Sequence, residues 1–107
     1  MNYISNDPRI WLVDIIKGLA EEWYGNRPNG QRCSRRAYER MSLKWWAVDE
    51  LCAYILKSKE DPLDAIDSFA YIMKQGMKES YEKTLSYRIF ETAYVVACDM
   101  GDAFRTD

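Results

Sequence analysis

The chain has 107 residues, 48% of them hydrophobic and 14% aromatic, with a net charge of −2. That is enough apolar material for one packed domain over 1–107, and it excludes intrinsic disorder. The absence of any histidine excludes His-based catalytic triads and His-ligated metals.

No uncharged apolar run approaches the ~20 residues that cross a bilayer. The N-terminal MNYISNDPR has neither a basic n-region nor a cleavage site, so the expected location is the cytoplasm. The three cysteines, Cys33, Cys52 and Cys98, are odd in number and widely spaced. That pattern fits reduced thiols, not a disulfide framework or a zinc site.

Helix signals then follow in order along the chain. Asn6-Asp7-Pro8 is a cap followed by proline, where the missing N–H costs nothing, and it opens a first helix over about 8–24. Leu12, Ile15, Ile16, Leu19 and Trp23 form its expected core stripe. Ile10, Trp11, Val13 and Tyr24 spread over other sides, so this helix is apolar around much of its circumference. Gly18, which costs helix propensity, is expected to mark a close helix approach. Gly25 is the expected left-handed stop. Residues 25–33, GNRPNGQRC, carry turn chemistry and form an exposed loop.

Ser34 caps a second helix over about 34–57, with Ser42 as a candidate break. Ala37, Met41, Trp45, Val48, Leu51, Cys52 and Ile55 share one side of it, so the adjacent tryptophans split: Trp45 inward, Trp46 outward with Leu43 and Tyr54. Asp61-Pro62 opens a third helix over about 62–78, with Leu63, Ile66, Phe69, Ala70, Met73 and Met77 as its stripe. Gly76 weakens its end. Thr84 caps a fourth over about 85–104, with Ile89, Phe90, Ala93, Val96, Ala97, Met100 and Phe104 inward. Strand signals and fixed-period repeats are missing. The expected fold is all-α, a single-domain bundle of about four helices with short connections.

In the last two helices, DPLDAIDSFAYIMKQGM and IFETAYVVACDMGDAF resemble a loose class of small helical proteins from Gram-positive bacteria and their prophages. Pro62, Asp64, Phe69, Phe90, Ala93 and Tyr94 carry the resemblance, which covers roughly the last 45 residues of the chain. It implies mobile-element cargo, among which small non-enzymatic inhibitors of host systems are frequent, and brings no activity with it.

Three constellations bear on function. Carboxylates spaced three apart, Asp64/Asp67 and Asp99/Asp102, are the spacing from which helical Mg²⁺-dependent nucleotide pyrophosphatases build their sites. Here they project away from the core stripes, and the helix N-terminus accounts for Asp64 and Asp67. The expectation is therefore no enzyme and no cofactor or metal.

The second constellation is charge. Between Trp23 and Val48 six basic residues (Arg27, Arg32, Arg35, Arg36, Arg40, Lys44) face one acid, Glu39. This local +5 sits on a chain whose remainder carries −7, a positive patch on an acidic body. The third is the outward aromatic and apolar set, Trp11, Leu43, Trp46, Tyr54, Tyr71, Ile72, Tyr87 and Tyr94. Aromatics with arginine are the composition of interface centres.

The sequence therefore reads as a non-enzymatic interaction protein, in concrete form an inhibitor from a phage or mobile element acting on a bacterial defence protein. Arg32, Arg35, Arg36, Arg40, Lys44, Trp46 and Tyr54 are the expected partner-binding residues. Trp11, Tyr87 and Tyr94 are assigned to the self-interface of a homodimer. The alternative is a nucleic-acid or nucleotide binder using the same arginines, which the acidic body disfavours.

Overall fold

The structure, a computed structural model, describes residues 7–28 and 34–105. These form α1 (Pro8–Tyr24), α2 (Arg35–Lys57), α3 (Pro62–Lys78) and α4 (Leu85–Phe104), with no strand among the described residues. All four starts are set by the anticipated local chemistry. A side-chain oxygen accepts a first-turn N–H at each: Asp7 from Arg9, Ser34 from Ala37, Asp61 from Leu63, Thr84 from Tyr87. Each such bond satisfies a donor that the helix itself cannot. α2 runs unbroken through Ser42, so the candidate break is absent: a serine in a helix interior only competes weakly for backbone groups.

Contacts at the helix ends fix the topology. Arg9 Nη1 donates to the Ser58 carbonyl just past the end of α2, at 3.0 Å. The Gly25 carbonyl, just past α1, accepts from Trp45 Nε1 at 3.2 Å. α1 and α2 are therefore antiparallel. Arg105 pairs with Asp67, and the Phe90 ring lies on Gly76, so α3 and α4 are antiparallel too. The bundle is up-down-up-down, with α2 packed on all three other helices.

The core consists of residues that the periodicity of α2, α3 and α4 selects. Trp45, Val48, Leu51, Cys52 and Ile55 of α2, Ile66 and Phe69 of α3, and Ala93, Val96, Ala97 and Met100 of α4 are all buried. Ala47 is buried as well, because α2 has neighbours on more than one side. Desolvation pushes the Cys52 thiol up to about 11, so it stays a neutral, small hydrophobe.

α1 departs from expectation. Its buried residues are Leu12, Val13, Ile16 and Ala20, while Ile15 and Trp23 are exposed and Leu19 is half-buried. Its inward arc is rotated toward the i, i+4 row 12–16–20. A helix apolar around its circumference does not choose its own buried side, and α2 chooses it here. Leu63, expected in the α3 stripe, is exposed in the first turn, and Ala65 takes the inward place.

Gly18 is no packing contact. A Cβ built there meets nothing within 4 Å, and the residue is exposed in mid-helix. Gly18→Ala is therefore expected to raise stability by about 0.5–1 kcal/mol through helix propensity and a restricted unfolded chain. An increase in the urea midpoint at unchanged slope checks this.

Candidate functional site

Residues 35–44, the arginine-rich first half of α2, include no buried residue. Burial begins at Trp45. This half stays helical by propagation from the packed second half, aided by the Ser34 cap. An exposed Arg35–Glu39 pair at 3.1 Å, four residues apart, adds a few tenths of a kcal/mol at about that scale. The segment is a ridge standing past the core, with a groove on each flank.

The larger groove, about 540 Å³, runs between this ridge and the first turns of α4. Tyr38, Ser42, Leu43 and Trp46 form one wall, Leu85 and Ile89 the other, with Glu39 and Arg88 at its edges. Its lining is apolar and aromatic with few charges, the usual make-up of a recognition groove. Trp46 is 40% exposed, whereas its neighbour Trp45 is 3% exposed. The one-residue step rotates the second indole by about 100°, out of the core and into the groove.

Trp45 instead holds the chain that leaves α1. Gly25 takes φ 79° and ψ −175°, positive in φ as anticipated but extended in ψ. The chain turns off the helix with its carbonyl aimed at the Trp45 indole. Two residues on, the Arg27 guanidinium lies over the Trp45 ring, 4.3 Å from its centroid. It also makes two hydrogen bonds to Asp49, at 2.8 and 2.6 Å. That bidentate contact lowers the Asp49 pKa and raises that of Arg27. Arg27 is thus occupied in holding the fold, and the basic surplus left for a partner is smaller than the sequence count.

The remaining cations do not share one face. Arg35 pairs with Glu39 beside the larger groove. Arg40 and Lys44 line the opposite flank with Trp23, Tyr24, Ala37 and Met41, and the Lys44 ammonium sits 5.0 Å from the Tyr24 ring centroid. Arg36 and Arg40 have no ion-pair partner among the described residues. Arg32 lies outside the described residues, as do Cys33 and the Asn29-Gly30 turn.

Tyr54 is placed apart from all of these. It is half-buried against the core, edge-on to Phe69 at 5.6 Å between centroids, and contributes to packing, not to the groove.

The residues assigned to a self-interface are also dispersed. Trp11 is exposed and lines a shallow depression of about 340 Å³ with Ile15, Leu63 and Phe104, at the end of the bundle holding the starts of α1 and α3. Tyr87 is half-buried at the start of α4, at the other end. Tyr94 is half-buried, with the Lys74 ammonium 5.9 Å from its ring centroid. Exposed apolar residues outside the expected set, among them Leu85, Trp23 and Val95, account for much of the two flanking grooves. Leu85 could have been found from the sequence by asking which periodic positions lie beyond the core's end.

The acidic residues stay separate as well. Asp67 is taken up by Arg105, and among the described residues no three Asp, Glu or Cys side chains come together as metal ligands would. No described helix is long and apolar enough to cross a membrane.

Neither a protein-family model nor a curated protein nor a solved structure matches this chain.

Proposed function

We propose that this chain is a non-catalytic protein-binding domain. Its docking surface is the groove between the arginine-rich half of α2 and the start of α4. One feature carries the reading. None of the ten residues 35–44 at the head of α2 is fully buried, yet Tyr38 among them and Trp46 just after them line a 540 Å³ apolar groove together with Arg88. Ordering a residue costs about 1–2 kcal/mol of backbone entropy, and core packing here gives little in return. A partner supplies the return. Tyr38 and Trp46 are the anchors. Arg88, Arg35 and Arg36 orient an apolar segment that carries carboxylates, since aromatic and arginine side chains dominate binding when desolvated.

One concrete form of this proposal, taken from the sequence resemblance of roughly the last 45 residues to small helical proteins of Gram-positive bacteria and their prophages, is an inhibitor of a bacterial defence protein acting in the cytoplasm. The unpaired Arg36 and Arg40 also suit phosphate, which keeps nucleic acid as the second reading.

Capture from a Gram-positive bacterial lysate compares wild type with a Trp46→Ser, Arg88→Glu variant. The expected result is a protein retained by wild type and lost by the variant, about 30-fold or more weaker, with a loss of folding stability of only about 1 kcal/mol or less in urea unfolding. Retention indifferent to the two changes removes the groove from the interface. Nucleic acid that co-purifies and leaves at high salt promotes the second reading.

A further inference from the structure

The other flank of the α2 ridge opens onto a second surface, and its charges are arranged differently. Trp23 and Tyr24, at the end of α1, form the floor. On one side stand Arg40 and Lys44 of α2. On the other stand Asp99 and Asp102 of α4, and Glu91 lies further along the same helix. The depressions joined at Tyr24 hold about 450, 240 and 190 Å³, so the surface is continuous, shallow and broad.

It is also unfinished as a surface. Trp23 is 41% exposed on the floor, and Val95 is 47% exposed beside the acidic wall. Lys44, Glu91 and Asp99 line one depression, yet no ion pair within 4 Å crosses it among the described residues. Burial, and after it the Asp99 charge, raises the Tyr24 hydroxyl above its ordinary range, which places a carboxylate close to the aromatic floor. A basic wall and an acidic wall therefore face outward on either side of an exposed indole.

We infer that this cleft is the interface of a homodimer, in which the Arg40–Lys44 wall of each copy meets the Asp99–Asp102 wall of the other. A two-fold axis near Trp23 brings both contacts together at once, because an isologous interface applies the same surface twice and so requires it to be self-complementary. The two opposed walls meet that requirement. The depression around Trp11 has no base in its lining, and the α2/α4 groove sets only a single acid, Glu39, already paired with Arg35, against a single base, Arg88. Trp23 and Val95 supply the apolar centre that such an interface needs, and the charges set its register. The assignment does not rest on the proposed α2/α4 docking groove. It does leave that groove open on both copies, which would make the dimer bivalent toward a partner.

Sedimentation or light scattering over a concentration series, at low and high salt, reads the dimer. Arg40→Glu with Lys44→Glu is expected to weaken it at least about 100-fold, and so is Asp99→Lys with Asp102→Lys, because each reversal sets like charges against each other. The decisive arms are two. The two reversed chains mixed together should pair as a heterodimer, and a chain carrying all four changes should dimerise by itself. Lys57→Glu with Lys59→Glu changes net charge equally at the far end of α2 and should leave the dimer intact. A wild-type monomer overturns the assignment, as does a dimer indifferent to both reversals or a mixture that fails to pair. Trp46→Ser leaves this dimer unchanged while removing partner capture, so the two surfaces are read separately.

Discussion

Replacing Trp45 with alanine is expected to cost about 4 kcal/mol of folding stability, in the range for deleting a buried large aromatic. Much of a small domain's total, typically about 5–15 kcal/mol, would go with it. Three losses combine. The indole is almost wholly buried among the residues of α2's core side. Its Nε1–H is the donor to the Gly25 carbonyl, and its face is the support on which Arg27 lies while gripping Asp49. Trp45→Phe keeps most of the volume and removes the donor, for about 1–2 kcal/mol. Trp46→Ala, one residue on, should cost about 1 kcal/mol or less, because its indole stands in a groove open to water. Urea unfolding of the three variants checks the order, and equal losses at 45 and 46 would contradict the division between core and groove.

That division was legible in the sequence, and so were the helix ends. Both depend on local chemistry: Asp7-Pro8, Asp61-Pro62, Ser34 and Thr84 cap by reaching their own first turn, and the Trp45/Trp46 split follows from periodicity within one helix. What could not be read is what depends on neighbours. α1 offers apolar residues on nearly every side, so the choice of Val13 and Ala20 over Ile15 and Trp23 is made by the surface it packs on. Tyr54 lies off the α2 stripe, yet Phe69 of α3 draws it against the core. The arginine cluster looks like one patch along the chain. In space it divides, because a ridge exposed on two flanks sends Arg35 one way and Arg40 with Lys44 the other. Arg27 leaves the cluster altogether for Asp49, twenty-two residues away.

The two flanks then serve different chemistry although one helix builds both. Tyr38 and Trp46 meet an apolar edge of α4, which suits a foreign segment. Arg40 and Lys44 look across Tyr24 at carboxylates they do not reach, which suits a second copy of the same surface. A ridge that adds little to the core and borders two unfilled grooves is what the proposed interactions call for, since folding alone would favour a shorter α2.

Gly76→Ala is expected to destabilise the protein by about 1 kcal/mol, opposite in sign to Gly18→Ala although both sites are helical glycines. Alanine gains about 1 kcal/mol of helix propensity at either position, so only the surroundings can reverse the outcome. At Gly76 they do. A Cβ built there would stand 2.5 Å from Cδ1 and 2.7 Å from Cζ of Phe90, well inside van der Waals contact. The ring of α4 lies on the bare backbone of α3 and lets the two helices close on each other near their connection. Adding a methyl group forces the ring off its rotamer or the helices apart, an overpacking cost of about 1–3 kcal/mol. Read from the sequence, this glycine only weakened a helix end; the ring that requires it comes from fourteen residues further on. A double-mutant cycle isolates the contact. Phe90→Leu alone should destabilise, and in the Gly76→Ala background it should cost clearly less, with a coupling of about 1 kcal/mol. Strict additivity, or a Gly76→Ala protein as stable as Gly18→Ala, would show that the ring does not sit on this backbone.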